Sequence, residues 1–143
     1  MRPSPLLPLA LVLVLIHVLA CDVSVDPPQE TVWTAVLEPV GEGSTVSGQA
    51  AAISRNMVTE ASILVEGLAA NDTLSWGIRT GSCEEPGELV GPAAAYPELV
   101  SDGGTATADA VFNPALSSSG SYHVAAFGGD EEGGLACGEL RPR

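Results

Sequence analysis

From residue 31 onward the chain is a series of short β-rich runs separated by Gly, Pro, Asn and Asp, and it shows no convincing helical period. The alternation is clearest within 57–66, where one extended face carries Thr59, Ala61, Ile63 and Val65. The segment 105–112 alternates in the same way, with alanines and one phenylalanine on a single face. A period of two with one apolar face predicts antiparallel strands that are buried on one side.

The positions of these runs predict the number of strands. The clear runs are 31–38, 45–53, 57–66, 73–80, 105–112, 121–127 and 134–140, and weaker ones lie around 88–90 and at 98–101. Seven to eight short strands at this spacing predict an all-β fold, an antiparallel Greek-key β-sandwich or barrel, within one domain at 31–143.

The first twenty residues resemble a lipoprotein signal peptide. Arg2 is the only charge before Cys21, and the apolar run at 6–20 is too short to span a bilayer. The junction Val18-Leu19-Ala20-Cys21 resembles the bacterial lipobox, whose cysteine is acylated, with palmitate among the chains, and becomes the new N-terminus. A buried or membrane-embedded cysteine is the alternative. We expect a mature protein that begins at a lipid-modified Cys21.

Residues 21–30 contain two prolines and no apolar period, so they predict an extended tether between the lipid and the domain. The protein would then lie in the bacterial cell envelope, lipid-anchored to a membrane and facing an extracytoplasmic compartment. The chain carries 18 acidic against 5 basic residues, a formal net charge of −13, and has no lysine. Such a surface repels nucleic acid phosphates and anionic headgroups, so the expected membrane contact is the anchor itself.

With Cys21 assigned to the lipid, Cys83 and Cys137 remain as a pair in an oxidising compartment. We therefore expect a disulfide between them. Closing a loop of this length stabilises a small domain by about 4 kcal/mol in the chain-entropy model.

Several strings together resemble a known group of secreted bacterial domains. They are Thr-Val-Trp-Thr-Ala-Val-Leu-Glu-Pro at 31–39, Thr-Gly-Ser-Cys at 80–83, Leu-Val-Gly-Pro-Ala-Ala-Ala-Tyr at 89–96, Gly-Ser-Tyr-His-Val at 120–124 and Ala-Cys-Gly-Glu-Leu at 136–140. In this order they resemble the chordin-type (CHRD) and Cu,Zn superoxide dismutase-like β-sandwiches. The resemblance covers about 31–140, implies a Greek-key β-sandwich, and also implies the pairing of Cys83 with Cys137.

The resemblance further implies a metal site whose ligands are replaced here. Metal-binding members carry His-x-His on the strand before the first cysteine and a further histidine after the Gly-Ser-Tyr motif. Imidazoles at i and i+2 share one face of a strand and converge on one copper. In this chain those positions hold Gly77, Arg79 and Phe127, none of which can bind a cupric ion. We therefore expect neither copper nor zinc, and no other cofactor.

Two residues near these positions have alternative interpretations. His123, the only histidine after the signal, shares a face with Phe127 by alternation. It is either a proton shuttle or residual metal ligand, or a surface strand histidine, which we favour. Arg79 either binds an anion or a partner carboxylate, or pairs with one of the many surface acids, which we favour.

These patterns favour a lipid-anchored envelope protein that is not an enzyme, an interaction or structural module with an envelope protein as its possible partner. The alternative is a divergent metal-dependent superoxide dismutase-like enzyme that recruits other ligands. One histidine and an oxidised cysteine pair do not build a dismutase copper site, which is why we favour the first.

Overall fold

The computed structural model describes residues 29–129 and 134–143. The predicted signal peptide, Cys21 and most of the predicted tether lie outside the described residues. The described ranges contain nine strands: β1 Thr31–Pro39, β2 Ser47–Arg55, β3 Val58–Glu66, β4 Thr73–Gly81, β5 Pro86–Leu89, β6 Leu99–Val100, β7 Thr105–Phe112, β8 Tyr122–Gly128 and β9 Gly134–Pro142. A single 3-10 turn, Ala93–Ala95, precedes β6. The predicted all-β fold is confirmed. Within these ranges we find no helix of the length and apolarity that crossing a membrane requires.

The strands form one antiparallel sheet in the order β5-β4-β8-β9-β1-β2-β3-β7, with β6 pairing the start of β4. The sheet curls into a half-barrel, and the connections from β3 to β4 and from β7 to β8 cross from one half to the other. Strand β9 joins the halves because it pairs with β8 on one side and with β1 on the other. We refer below to the β4-β8-β9 half and the β1-β2-β3-β7 half.

The core fills the inside of the curl, as the alternation predicts. Thr59, Ala61, Ile63 and Val65 on β3 are all buried. Aromatic side chains meet edge to face in the core: ring centroids lie 5.5 Å apart for Trp33 and Tyr122, and 5.1 Å apart for Trp76 and Tyr96. Such pairs add to the free energy gained from buried area, and the first pair joins β1 to β8 and so connects the two halves.

On the β4-β8-β9 half, the side of the sheet away from the core is partly covered by a second layer, which is the turn that follows β4. The Sγ atoms of Cys83 and Cys137 lie 2.08 Å apart, at disulfide-bond distance, as the sequence predicts. This bond holds the turn that follows β4 against the outer face of β9. The turn is closed by the Ser82 amide, which donates to the Glu85 carbonyl oxygen at 3.2 Å.

Candidate functional site

Three of the residues singled out from the sequence, Arg79, His123 and Phe127, lie together beneath this second layer. They line a cavity of about 210 Å³ on the outer side of β4 and β8. The remaining wall is mostly apolar and consists of Val40, Pro86, Ala125, Gly134 and the Cys83–Cys137 disulfide. We call this space the outer cavity.

Strand alternation and register bring these side chains together. Trp76 and Ile78 of β4 point into the core, so Gly77 and Arg79 face the other side. On β8, Val124 and Ala126 belong to the core, and His123, Ala125 and Phe127 face outward. Arg79 lies directly opposite His123, and Gly77 opposite Ala125. The positions that the resemblance assigns to metal ligands therefore do share one face.

Arg79 lies in the outer cavity and contacts an aromatic ring. Its Cζ is 5.5 Å from the centroid of the Phe127 ring, and its Nη1 donates to the Gly87 carbonyl oxygen at 3.1 Å. Its Nε is buried and has no hydrogen-bond partner among the described residues. Among the described residues Arg79 makes no ion pair, and both ion pairs found there belong to Arg55, so its pairing with a surface acid stays a prediction. The guanidinium is held instead by the ring quadrupole and a carbonyl oxygen.

His123 is only 1% exposed, so our expectation of a surface histidine is wrong. The alternation places it correctly on the face of Phe127, but the second layer covers that face. Its Nδ1 is buried and has no hydrogen-bond partner among the described residues. Burial lowers the pKa of His123, and the nearby Arg79 lowers it further, while a backbone hydrogen bond to Gly81 and the carboxylate of Glu139 oppose the shift. The imidazole is therefore neutral at neutral pH.

Glu139 is a residue of this region that the sequence interpretation missed. It lies opposite His123 across β8 and β9, and its Oε1 accepts a hydrogen bond from the Cys83 amide at 2.9 Å. A carboxylate acceptor strengthens such a bond, so Glu139 helps to hold the disulfide turn in place. The signal was its spacing from Cys137, because residues two apart share a face of a strand.

Copper does not fit the side chains at this position. Gly77 has no side chain, and the side chain of Leu89 occupies the space into which a Cβ would project. Phe127 has no lone pair, and the Arg79 guanidinium stays protonated. Among the described residues that line the outer cavity, that leaves Nδ1 of His123 as the single candidate metal ligand. Among the described residues, no group of three or more His, Cys, Asp or Glu side chains could hold a metal ion.

Comparison of the chain with protein-family models, with curated proteins and with solved structures found no match. The resemblance to the CHRD-like and superoxide dismutase-like domains therefore stays a prediction.

Proposed function

We propose that this protein is a lipid-anchored envelope lipoprotein whose β domain is a non-catalytic binding module. The observation that carries the proposal is the identity of the side chains in the outer cavity. A guanidinium packed on an aromatic ring lies where the resemblance places a metal, next to a neutral imidazole. A fixed positive charge repels a metal cation and attracts an anionic group, which favours binding over metal-assisted chemistry.

The start of the domain agrees with attachment through Cys21. Strand β1 begins at Thr31, and the intervening residues would reach about 30 Å when extended. That length would place the domain beyond the headgroups of the membrane. The acidic composition favours the same separation, because like charges repel at an anionic surface.

Mass spectrometry of the protein purified from bacterial membranes tests the anchor. We expect a mature N-terminus at Cys21 that carries acyl chains. A Cys21→Ser variant of the full chain should lose the lipid and leave the membrane fraction. An unmodified N-terminus at another residue would contradict the lipid anchor. It would not contradict the proposal that the domain is a non-catalytic binding module.

The competing function is a divergent superoxide dismutase-like enzyme that takes its metal ligands from elsewhere in the chain. Elemental analysis of protein purified without chelators or a histidine tag separates the two, together with a dismutase assay on the same sample. We expect far less than one equivalent of copper or zinc per chain and no activity above that of free buffer. About one bound equivalent per chain would overturn the non-catalytic proposal.

A further inference from the structure

The outer cavity contains two buried nitrogen atoms whose hydrogen-bonding capacity is unused. Arg79 Nε and His123 Nδ1 both lack a partner among the described residues, and both side chains line the same cavity. His123 is more than nine-tenths buried, so its imidazole has little access to hydrogen bonds from bulk water. Leaving a buried polar group unsatisfied is costly, and most buried groups in folded proteins do have a partner. Two such atoms on side chains that line one cavity make it a candidate site for a polar ligand.

The charge of the cavity determines the sign of that ligand. Among the described residues that line the cavity, Arg79 is the one that carries a formal charge at neutral pH, because the imidazole of His123 is neutral. Glu139 does not line the cavity, and its Oε1 is already bonded to the Cys83 amide. A half-buried guanidinium whose buried Nε has no partner among the described residues favours a small anion, and a carboxylate matches its geometry well. The net charge of −13 disfavours an anion of higher charge.

The size and the walls of the cavity determine the rest of the ligand. A volume of about 210 Å³ equals that of about seven water molecules, which is more than an inorganic anion needs. Val40, Pro86, Ala125 and the Phe127 ring present apolar surface to this space. Apolar walls with a few polar groups are typical of sites for small organic molecules. The ligand would then have one anionic group and a short apolar part.

We infer that the outer cavity binds a small organic monocarboxylate. Its carboxylate accepts a hydrogen bond from Arg79 Nε beside the neutral His123, and its short apolar part lies against Phe127 and Val40. The inference rests on the proposed function in one respect, since it makes this cavity the binding site of the module.

Titration of the mature protein in detergent with butyrate tests the inference. His123 is the only histidine after the predicted signal, so its imidazole resonances report on the cavity without substitution. We expect butyrate to shift these resonances saturably at one equivalent, and dodecanoate, which is too long for the cavity, to leave them unchanged. Chloride and sulfate at matched ionic strength are the controls. Shifts of equal size and affinity with chloride or sulfate would overturn the carboxylate assignment, and no saturable shift with butyrate would overturn the site.

Two matched arginine variants identify the group that binds. Arg79→Gln should weaken butyrate binding about tenfold or more, since a charge-assisted hydrogen bond is lost. Arg55→Gln removes an exposed arginine from the other half of the sheet and should leave the affinity unchanged. Equal affinity in the Arg79→Gln protein would overturn the inference. These results are independent of elemental analysis. A failed butyrate titration contradicts the carboxylate site, whereas a bound metal contradicts the non-catalytic proposal.

Discussion

The two halves of the sheet differ in what covers their outer faces. On the β1-β2-β3-β7 half, outward side chains are open to solvent: Glu60 and Ser62 are exposed, and Val111 is 63% exposed. On the β4-β8-β9 half, the outward side chains of His123 and Ala125 are as buried as core residues. The difference arises from the disulfide turn after β4, which lies over the second face and encloses the outer cavity. One sheet thus has one outer face that is open to solvent and another that is covered and contains a cavity.

Removing the disulfide should have the largest effect on this difference. A Cys83→Ser and Cys137→Ser double variant should lose about 2–5 kcal/mol of unfolding free energy, because the closed loop in the unfolded chain is released. Urea unfolding of the oxidised parent and the variant measures the loss. Ser62→Ala on the exposed face is the control and should stay within about 0.5 kcal/mol. An unchanged urea midpoint in the double variant, or two free thiols in the native protein, would contradict a stabilising disulfide between Cys83 and Cys137.

The two arginines compared above give the second prediction, now for stability. Arg79→Gln should lower the unfolding free energy by about 1 kcal/mol, since the ring contact and the bond to the Gly87 carbonyl are both lost. Arg55→Gln should leave the urea midpoint unchanged, because its ion pairs to Glu30 and Glu60 are exposed to solvent. Equal losses in the two variants would show that Arg79 behaves as a surface residue.

The halves also differ in how well the sequence predicts them. On β3 and β7 strict alternation indicates both the buried and the exposed face, and the structure agrees. On β8 alternation indicates which residues face the core but not that a second layer covers the others. A signal was present, since 122–127 contains no polar residue between His123 and Phe127, and a continuous apolar run is typical of a strand buried on both faces. The covering turn depends on a contact 54 residues away, which local patterns do not contain.

Because His123 is buried, we predict that the unfolding free energy depends on pH through the β4-β8-β9 half. The pKa of His123 is lowered in the folded state from its ordinary value of 6.5, so below that pH the unfolded chain binds a proton that the folded chain does not. Stability is therefore fully present above pH 6.5 and falls as the pH drops toward the folded pKa. Between pH 7 and pH 5.5 the parent should lose stability relative to a His123→Asn variant, which has no imidazole to titrate. Urea unfolding at the two pH values measures this, and parallel losses in both proteins would contradict it.

The smallest predicted effect concerns Glu139, which acts on the outer cavity from the adjoining strand. Its carboxylate favours the charged form of His123, so Glu139→Gln should lower the imidazole pKa further, measured by NMR titration of the single mature histidine. The amide oxygen of glutamine can still accept from the Cys83 amide, so the unfolding free energy should fall by only about 0.5 kcal/mol. Glu38→Gln is the matched control, because Glu38 lies opposite Cys137 on β1 and is exposed. If both variants shift the pKa of His123 equally, the effect comes from the net charge of the chain and not from the position of Glu139 opposite His123.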